Sequence, residues 1–353
     1  MDSEIETSLD FTFKGTTKEW FGIWIVNLLL SIVTIGIYSA WAKVRTKKYF
    51  YGNTFVGGRN FDYHATGGQI LKGRLIIVAA IVGFQIILTI QPFVGLVLLF
   101  GLILLFPWLI TRAMVFNARM TSFSNVRFDF VGTYWRAAVV YLLYPILITL
   151  TLFITLPILD RTIDRFTIDN HLLGTAEFKM DAPLIAFYKA AGLALFWVVS
   201  VAAVASLTIG SAIQLTPDTL MALGSDPTTV MLIMLTFFAV FVIGFIPARF
   251  IYGALTRNVI YSNTTLSGGH VLRSNVKATN LFLIALSNMA LVILTLGLLL
   301  PWAQVRMVRY LSNHTGIKLG SSLDDFIGTE QEKATVLGDA YSDIEGIEVG
   351  LPT

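Results

Sequence analysis

Residues 34–45 read TIGIYSAWAKVR, and residues 295–306 read TLGLLLPWAQVR. A shift of 261 residues superimposes Thr, Gly, Trp, Ala, Val and Arg in these two stretches, and it also carries Asn27 onto Asn288. Identities that keep one register over such a distance indicate an internal repeat. The sequence therefore predicts a chain built from similar units, with its first and last units most alike.

The composition is that of an integral membrane protein. Of the 353 residues, 55% are hydrophobic and 13% are charged, and the mean hydropathy is +0.73. These values are too apolar for a soluble globular domain. The apolar runs are continuous and roughly 18 to 25 residues long, which favours membrane helices over a membrane barrel of alternating strands. The runs lie near residues 19–42, 70–90, 92–111, 135–158, 184–209, 229–250 and 280–304.

Short strand-like pieces recur between the apolar runs. Residues 11–16, 61–66 and 128–133 read FTFKGT, FDYHAT and FDFVGT, and two glycines at 57–58 separate two aromatic, β-branched runs. Such runs around a glycine turn are typical of a β-hairpin. We expect short hairpins at one membrane surface, either separate or joined into one small sheet. They are predicted near residues 48–66, 114–133, 165–181 and 257–279.

The positive charges indicate which side the hairpins face. All 25 Lys and Arg fall in the hairpin zones, beside them or in the tails, whereas the connections at 89–92 and 210–227 carry none. Positively charged loops tend to stay in the cytoplasm. The first, fourth and seventh apolar runs would then begin and end on one side, so we expect re-entrant helical hairpins with breaks near Gly36, at or a few residues after Pro145, and near Gly297. A polar stripe at helical spacing in the first run favours an unbroken helix instead.

The predicted fold is an all-α, multi-pass membrane protein built from internal repeats, with short β-hairpins on the cytoplasmic side. We divide the chain into an N-terminal tail and strand at 1–18, a repeat-built transmembrane domain at 19–318, and an acidic C-terminal tail at 319–353. Because the tail is charged and nearly all acidic, we expect it to be solvated, with a short amphipathic helix around residues 331–341.

Residues 11–74 resemble the opening of the YjgN-like family of bacterial inner-membrane proteins, a domain of unknown function. The strongest motif is the stretch from Thr34 to Tyr38, followed by Trp41-Ala42 and Val44-Arg45. The later copy and the chain length extend the resemblance over most of the chain. It implies a polytopic protein of the bacterial inner membrane, and it supplies no catalytic residues.

Three arginines each follow a tryptophan by four residues at the end of an apolar run. One interpretation is an interfacial anchor, with the indole at headgroup level and the guanidinium reaching toward phosphate. The alternative is that the copies converge on an anionic ligand such as a lipid phosphate, which a guanidinium binds with two hydrogen bonds. The pairs are Trp41 and Arg45, Trp108 and Arg112, and Trp302 and Arg306.

A second group of candidates is an intramembrane polar stripe. Amides and hydroxyls in hydrocarbon must find partners, so these groups are expected to bond between helices or to line a path for water or a solute. No Asp or Glu lies in the centre of any apolar run, which argues against ion-coupled transport. The stripe consists of Asn27, Ser31, Thr34, Asn288 and Thr295.

Catalytic signatures are missing from the sequence. The chain has no cysteine, which excludes thiolate metal sites and cysteine nucleophiles, and we find no nucleotide-binding loop or hydrolase motif. His64, His171 and His270 lie in hairpin zones and could form a His/Asp metal site only if the hairpins assemble, so we predict no metal and no cofactor. The acids Asp160 and Asp164, beside Arg161 and Arg165, are interpreted as a surface ion-pair cluster.

These observations favour a non-catalytic inner-membrane protein that binds anionic lipid or envelope components at the Trp/Arg helix ends. The alternative is a passive channel or transporter for a small solute or a lipid, with the polar stripe as its path. Membrane lipids are the expected partners. Nucleic acid is not, because the basic residues flank membrane helices, and the sequence leaves a homo-oligomer open.

Overall fold

The helices come in antiparallel pairs, and each pair lies between two β-strands. The structure is a computed structural model in which residues 8–213 and 227–333 are described. In chain order the pairs are α1 (Thr17–Val33) with α2 (Ser39–Gly52), α3 (Gly67–Ile90) with α4 (Pro92–Arg119), α5 (Tyr134–Leu150) with α6 (Leu156–Asp169), α7 (Leu184–Ile213) with α8 (residues 227–262), and α9 (Ala278–Leu294) with α10 (Leu300–Asn313). A last helix, α11, covers residues 323–333 and has no paired helix among those described. Within them, π-helical turns lie at Val139–Leu143 in α5 and at Val240–Phe245 in α8.

The strands that separate these pairs are short. They are β1 (Ser8–Phe13), β2 (Thr54–Val56), β3 (Arg59–Tyr63), β4 (Thr121–Phe123), β5 (Val126–Phe130), β6 (His171–Leu173), β7 (Ala176–Met180), β8 (Thr264–Leu266), β9 (His270–Ser274) and β10 (Thr315–Lys318). Together they form a closed antiparallel barrel in the order β1-β10-β9-β8-β7-β6-β5-β4-β3-β2. Closure brings the first and last strands together, because β1 pairs with β2 on one side (Phe11 with Val56) and with β10 on the other (Leu9 with Ile317).

The prediction of an all-α protein with short β-hairpins is therefore wrong. The hairpins do not stand apart, since the described strands join edge to edge into one barrel. An isolated hairpin with strands of three residues, such as Thr54–Val56, would be marginally stable and would expose unpaired backbone groups. Closing the barrel pairs both edges of every strand, which removes that cost.

The helices form a second closed layer on one side of the barrel. Each of α1 to α9 packs against the next helix in the chain, and α10 packs against α1. The contact that closes the layer includes a hydrogen bond of 2.7 Å from Nε1 of the fully buried Trp20 to Oε1 of Gln304. Nearby, Arg309 donates a 2.9 Å bond to the backbone oxygen of Gly15. All helical pairs thus leave and rejoin the barrel at the same end.

A short motif links each barrel strand to its helix. In FTFKGT the ring of Phe13 lies so close to Gly15 that a β-carbon there would be 2.5 Å from it. The next residue, Thr16, forms a capping box with Glu19 and so starts α1. The other copies share parts of this arrangement: the ring of Phe130 lies similarly close to Gly132, and Thr66 forms a capping box with Gln69. Residue 65 is alanine, however, and Thr133 makes no side-chain capping bond.

Three of the helical pairs have one arm of 17 residues and one of 14, and the other two pairs have longer arms. The long pairs supply four candidate spans by length and composition among the described residues, at Gly67–Ile90, Pro92–Arg119, Leu184–Leu207 and Met234–Ser262. The short pairs turn at residues 34–38, 151–155 and 295–299. The breaks therefore lie around Gly36 and Gly297, and the middle one lies six residues after Pro145.

The chain beyond the barrel is described only in part. Residues 319–333 were predicted to open a solvated tail, but helix α11 packs on the barrel end through Phe326 and the fully buried Ile327. Residues 1–7, 214–226 and 334–353 lie outside the described residues. So do most of the helix predicted at 331–341 and most of the connection at 210–227.

Candidate functional site

Two of the predicted Trp/Arg pairs form cation–π contacts within one helix. The guanidinium carbon of Arg112 lies 5.4 Å from the ring centre of Trp108 on α4, and that of Arg306 lies 5.0 Å from Trp302 on α10. Residues four apart share one helical face, so the contact follows from the spacing. Arg112 is exposed and Arg306 is half-buried.

The third pair uses an additional aromatic ring. Arg45 lies 5.6 Å from the ring centre of Tyr38, and Tyr38 stacks on Trp41 with centroids 6.1 Å apart. The three arginines lie on three different helical pairs, and the described contacts of each stay within its own pair. The structure therefore shows separate aromatic–cation sites around the helical layer.

Arg306 has partners that the sequence did not indicate. Its Nη1 atom donates 2.7 Å to Oγ of Ser287 and 3.1 Å to Oδ1 of Asn288, both on α9. This arginine thus joins the two arms of its hairpin. Arg45 and Arg112 have no such described bonds, so their guanidinium groups are more available to a ligand.

The polar stripe lies between and along hairpin arms. Asn288 donates 3.0 Å to the backbone oxygen of Ala303 across the α9–α10 pair. Asn27, its counterpart on α1, is equally buried, but both of its amide atoms lack a partner. Thr34 and Thr295 bond to backbone groups of their own turns. None of these bonds favours a path for a solute.

The histidines considered as metal ligands do not converge. His64 contacts Oγ of Ser122 at 2.8 Å, and His171 contacts the backbone oxygen of Thr167 at 2.6 Å. In residues 8–213 and 227–333, no three His, Cys, Asp or Glu are grouped so that they could hold a metal ion.

The acidic pair on α6 differs from the predicted ion-pair cluster. Arg161 donates to the backbone oxygen of Ala182, and Arg165 pairs with Asp169 at 3.1 Å. Burial, together with the neighbouring charge of Asp160, raises the pKa of Asp164 to about 6. The ionised form of Asp164 is thus disfavoured in the folded protein.

One feature of the structure was missed from the sequence. The barrel encloses a cavity of about 450 Å³ with a mainly aromatic and aliphatic lining. The first aromatic residue of each strand motif faces this lumen, and Arg257 of α8 reaches its helix-side end. In the sequence Arg257 looks like any positive residue at the end of a membrane helix, so only strand pairing could have revealed its position.

Comparison with known protein families identifies the family of this chain. The family described as bacterial protein of unknown function (DUF898) matches residues 8–344. The chain belongs to this family. The match spans the barrel, the helical layer and α11, so the family covers the entire described architecture.

The curated relatives of this DUF898 protein are inner-membrane proteins. The protein named Inner membrane protein YjgN from Escherichia coli O157:H7 is 37% identical over 135 residues, which is 36% of this chain and 33% of the relative. The protein of that name from Escherichia coli strain K12 is 39% identical over 126 residues, 35% of this chain and 31% of the relative. The protein of that name from Salmonella typhimurium is 34% identical over 154 residues, which is 43% of this chain and 38% of the relative.

The matched segments span about a third of the length of these relatives. No solved structure matches the chain. The resemblance to the YjgN-like family is thus confirmed, and with the four candidate spans it supports an integral membrane protein.

Proposed function

We propose that the protein is a non-catalytic lipid-binding protein of the bacterial inner membrane. In this proposal the aromatic–cation sites bind anionic lipid headgroups, while the three short hairpins insert their tips into the bilayer. The observation that carries the proposal is the construction of those tips, which suits hydrocarbon and does not suit water.

The tips expose large apolar side chains. Ile35 is 93% exposed, Leu152 is 81% exposed and Leu296 is 95% exposed. Residues of this kind at the end of a projecting hairpin would form an unfavourable apolar patch in water. In a bilayer the same side chains would contact acyl chains.

The backbone of the tips has the hydrogen bonds that hydrocarbon requires. Every N–H group of residues 34–39 has an acceptor inside its own hairpin, and the same is true of residues 295–300. Hydrocarbon offers no partner for a free N–H group, so an exposed turn is tolerable there only when these donors are paired. The turns therefore support insertion into the bilayer interior.

The length of the short hairpins sets how deep they would reach. Helix α1 has 17 residues and α3 has 24. At a rise of ~1.5 Å per residue, the tip of the first short hairpin ends roughly 10 Å before the far end of α3. The tips would then lie inside the hydrocarbon, and the protein would displace lipid without crossing at these points.

The headgroup sites are best represented by Arg45 and Arg112. Both side chains are exposed beside an aromatic ring, an arrangement common at the membrane interface. Lys43, Lys47 and Lys48 on α2 add to the positive charge of this surface. The similar turns and Trp/Arg ends of the first and last hairpins also support the hypothesis of a repeated unit.

Native mass spectrometry tests the headgroup sites. The detergent-purified protein is offered equal amounts of phosphatidylglycerol and phosphatidylcholine, and the retained lipid is identified. We expect the wild type to retain phosphatidylglycerol preferentially and the double variant Arg45→Ala/Arg112→Ala to lose that preference.

The matched control is Arg127→Ala/Lys179→Ala, which removes the same charge from exposed positions on the barrel. The control should retain phosphatidylglycerol like the wild type. Equal lipid retention by all three proteins would overturn the headgroup proposal and return the arginines to the role of anchors.

A further inference from the structure

The barrel lumen has room for a ligand. Its cavity measures about 450 Å³, within the roughly 300–1,000 Å³ of small-molecule pockets. Protein interiors are normally packed as densely as organic crystals, and a barrel of about eight strands is just filled by its own side chains. Two additional strands leave space that the side chains of residues 8–213 and 227–333 do not occupy.

The wall of the lumen is aromatic along most of its circumference. Phe11, Phe61, Phe128 and Phe178 come from β1, β3, β5 and β7, and neighbouring rings of this series lie 6.1 to 6.4 Å apart. Each of these rings is only partly buried, because one side faces the cavity. Such a surface fits an alkyl chain and offers it no hydrogen bonds.

A single arginine lies at the helix-side end of the lumen. Arg257 Nη2 donates 2.7 Å to Oγ1 of Thr315, and its Nη1 donates 3.1 Å to the hydroxyl of Tyr261. Its Nε atom is buried without a partner. No carboxylate among the described residues lies within ion-pair distance of it. A guanidinium stays charged, and this half-buried one has no described carboxylate beside it, so this end of the lumen attracts an anion.

The opposite end of the lumen is closed and uncharged. Leu323 and Phe326 of α11 line that end, and Phe326 packs against His270 with ring centroids 4.6 Å apart. Burial lowers the pKa of His270, so this imidazole is neutral at pH 7. Among the described residues that line the cavity, Arg257 therefore carries the one charge.

Helix α11 is hydrogen-bonded to turns of the β-hairpins at that end of the barrel. Glu330 accepts a 2.6 Å bond from the backbone N–H of Thr175, and Gln331 donates 2.7 Å to the backbone oxygen of Ser124. Arg59 pairs with Asp324 at 2.6 Å. These contacts close the end of the lumen that lies far from helices α1 to α10.

We propose that the lumen binds a single-chain anionic amphiphile, with its alkyl chain among the phenylalanine rings and its carboxylate or phosphate on Arg257. A long-chain fatty acid is the simplest molecule of this class. This site is separate from the headgroup sites on the helical layer, and it takes the whole molecule rather than a headgroup alone.

Photo-crosslinking distinguishes the lumen from the membrane-facing helices. The full-length protein in detergent is mixed with a hexadecanoic acid that carries a diazirine near its methyl end, irradiated and digested. We expect adducts on peptides of β3, β5 and β7, and we expect unlabelled hexadecanoic acid to compete for them. Competition by a lysophosphatidate instead would identify a phosphate head. Adducts confined to α3, α4 and other membrane helices, with no competition, would overturn the proposal.

Variants test the two ends of the ligand separately. Arg257→Met keeps the volume but removes the charge, so strand labelling by the acid should fall roughly tenfold. Labelling by the methyl ester of the probe should be unchanged. Leu272→Trp, which fills the lumen, should abolish strand labelling by both. The variant Arg127→Ala/Lys179→Ala, changed at exposed barrel positions outside the cavity lining, should label like the wild type.

If Arg257→Met does not fold, Arg257→Lys serves instead, and it should keep a preference for the acid over the ester. An acid and an ester that label the strands equally in the wild type would contradict the role of Arg257. The Arg45→Ala/Arg112→Ala variant should label its strands normally, so failure of the headgroup proposal leaves this result unaffected.

Discussion

Asn27 and Asn288 occupy corresponding positions in the first and last short hairpins, but their amides differ in their partners. Asn288 bonds to Ala303 and accepts a bond from Arg306, whereas the amide of Asn27 has no partner. A buried polar group stabilises a protein only when it is paired. The two residues therefore form a natural matched pair.

We predict that Asn288→Leu destabilises the protein by roughly 1–3 kcal/mol, because it removes the bond to Ala303 and one of the two described acceptors of the Arg306 guanidinium. Asn27→Leu should be neutral or stabilising, since it removes an unpaired amide from an apolar setting. Thermal unfolding in one detergent measures both. Equal losses of stability in the two variants would contradict the assignment of partners.

Asp164 gives a pH dependence whose sign follows from its pKa. The raised value, about 6, means that the folded state binds the proton more tightly than the unfolded chain, whose Asp pKa is ~3.9. The contribution of Asp164 to stability is therefore most favourable below that value and is lost as the pH rises through about 6.

We predict that Asp164→Asn raises the unfolding temperature, and that the gain is larger at pH 8 than at pH 5. The control is Asp325→Asn, at an exposed position on α11, which should show no such difference. Thermal unfolding at the two pH values measures the effect. An equal gain in unfolding temperature at both pH values, or a loss at pH 8, would contradict a raised pKa for Asp164.

At the scale of the element, the threonine that begins a helical-hairpin turn makes the side-chain bonds that hold the turn. Thr34 Oγ1 donates 2.7 Å to the backbone oxygen of Leu30 and accepts 2.9 Å from the N–H of Tyr38. Ile35 and Gly36 then adopt positive φ values of 49° and 85°. The middle hairpin places Leu152 and Phe153 in this conformation, so a glycine is not obligatory.

We predict that Thr34→Val lowers the free energy of unfolding by roughly 1–3 kcal/mol, because the N–H of Tyr38 loses its acceptor in an apolar turn. Thr34→Ser keeps the hydroxyl and should retain most of the stability. Unfolding temperatures in detergent compare the two. A Val variant as stable as the Ser variant would show that the turn does not depend on this bond.

The sequence predicted these turns better than the strands. The copies of Thr, Gly and Trp marked the first and last breaks, because a positive φ favours glycine and the polar threonine stands out in an apolar run. The strands from Thr54, Thr121, His171 and Thr264 have three residues each, too few for a period of two to be recognised.

At the scale of the whole molecule, closure is the feature that local patterns could not predict. The pairing of Leu9 with Ile317 joins residues from opposite ends of the chain, and no periodicity encodes such a contact. The lumen and the position of Arg257 follow from that closure. The Trp/Arg helix ends, by contrast, were visible at once, because each pair lies within one helical turn.

The central claim is that all helical pairs leave one barrel on one side of the membrane, and that the three short pairs do not cross. The chain contains no cysteine, so single cysteines can be placed without background. Informative positions are Arg127 and Lys179 on the barrel, Gln91 between α3 and α4, and Ile35 and Leu296 at two tips.

The most direct measurement is labelling of these single-cysteine variants by a membrane-impermeant maleimide in right-side-out and inverted vesicles. Barrel positions should react only in inverted vesicles and position 91 only in right-side-out ones. The tip positions should react in neither, although all should react after denaturation. Labelling of a tip from the outside, or of the two barrel positions from opposite sides, would contradict the account.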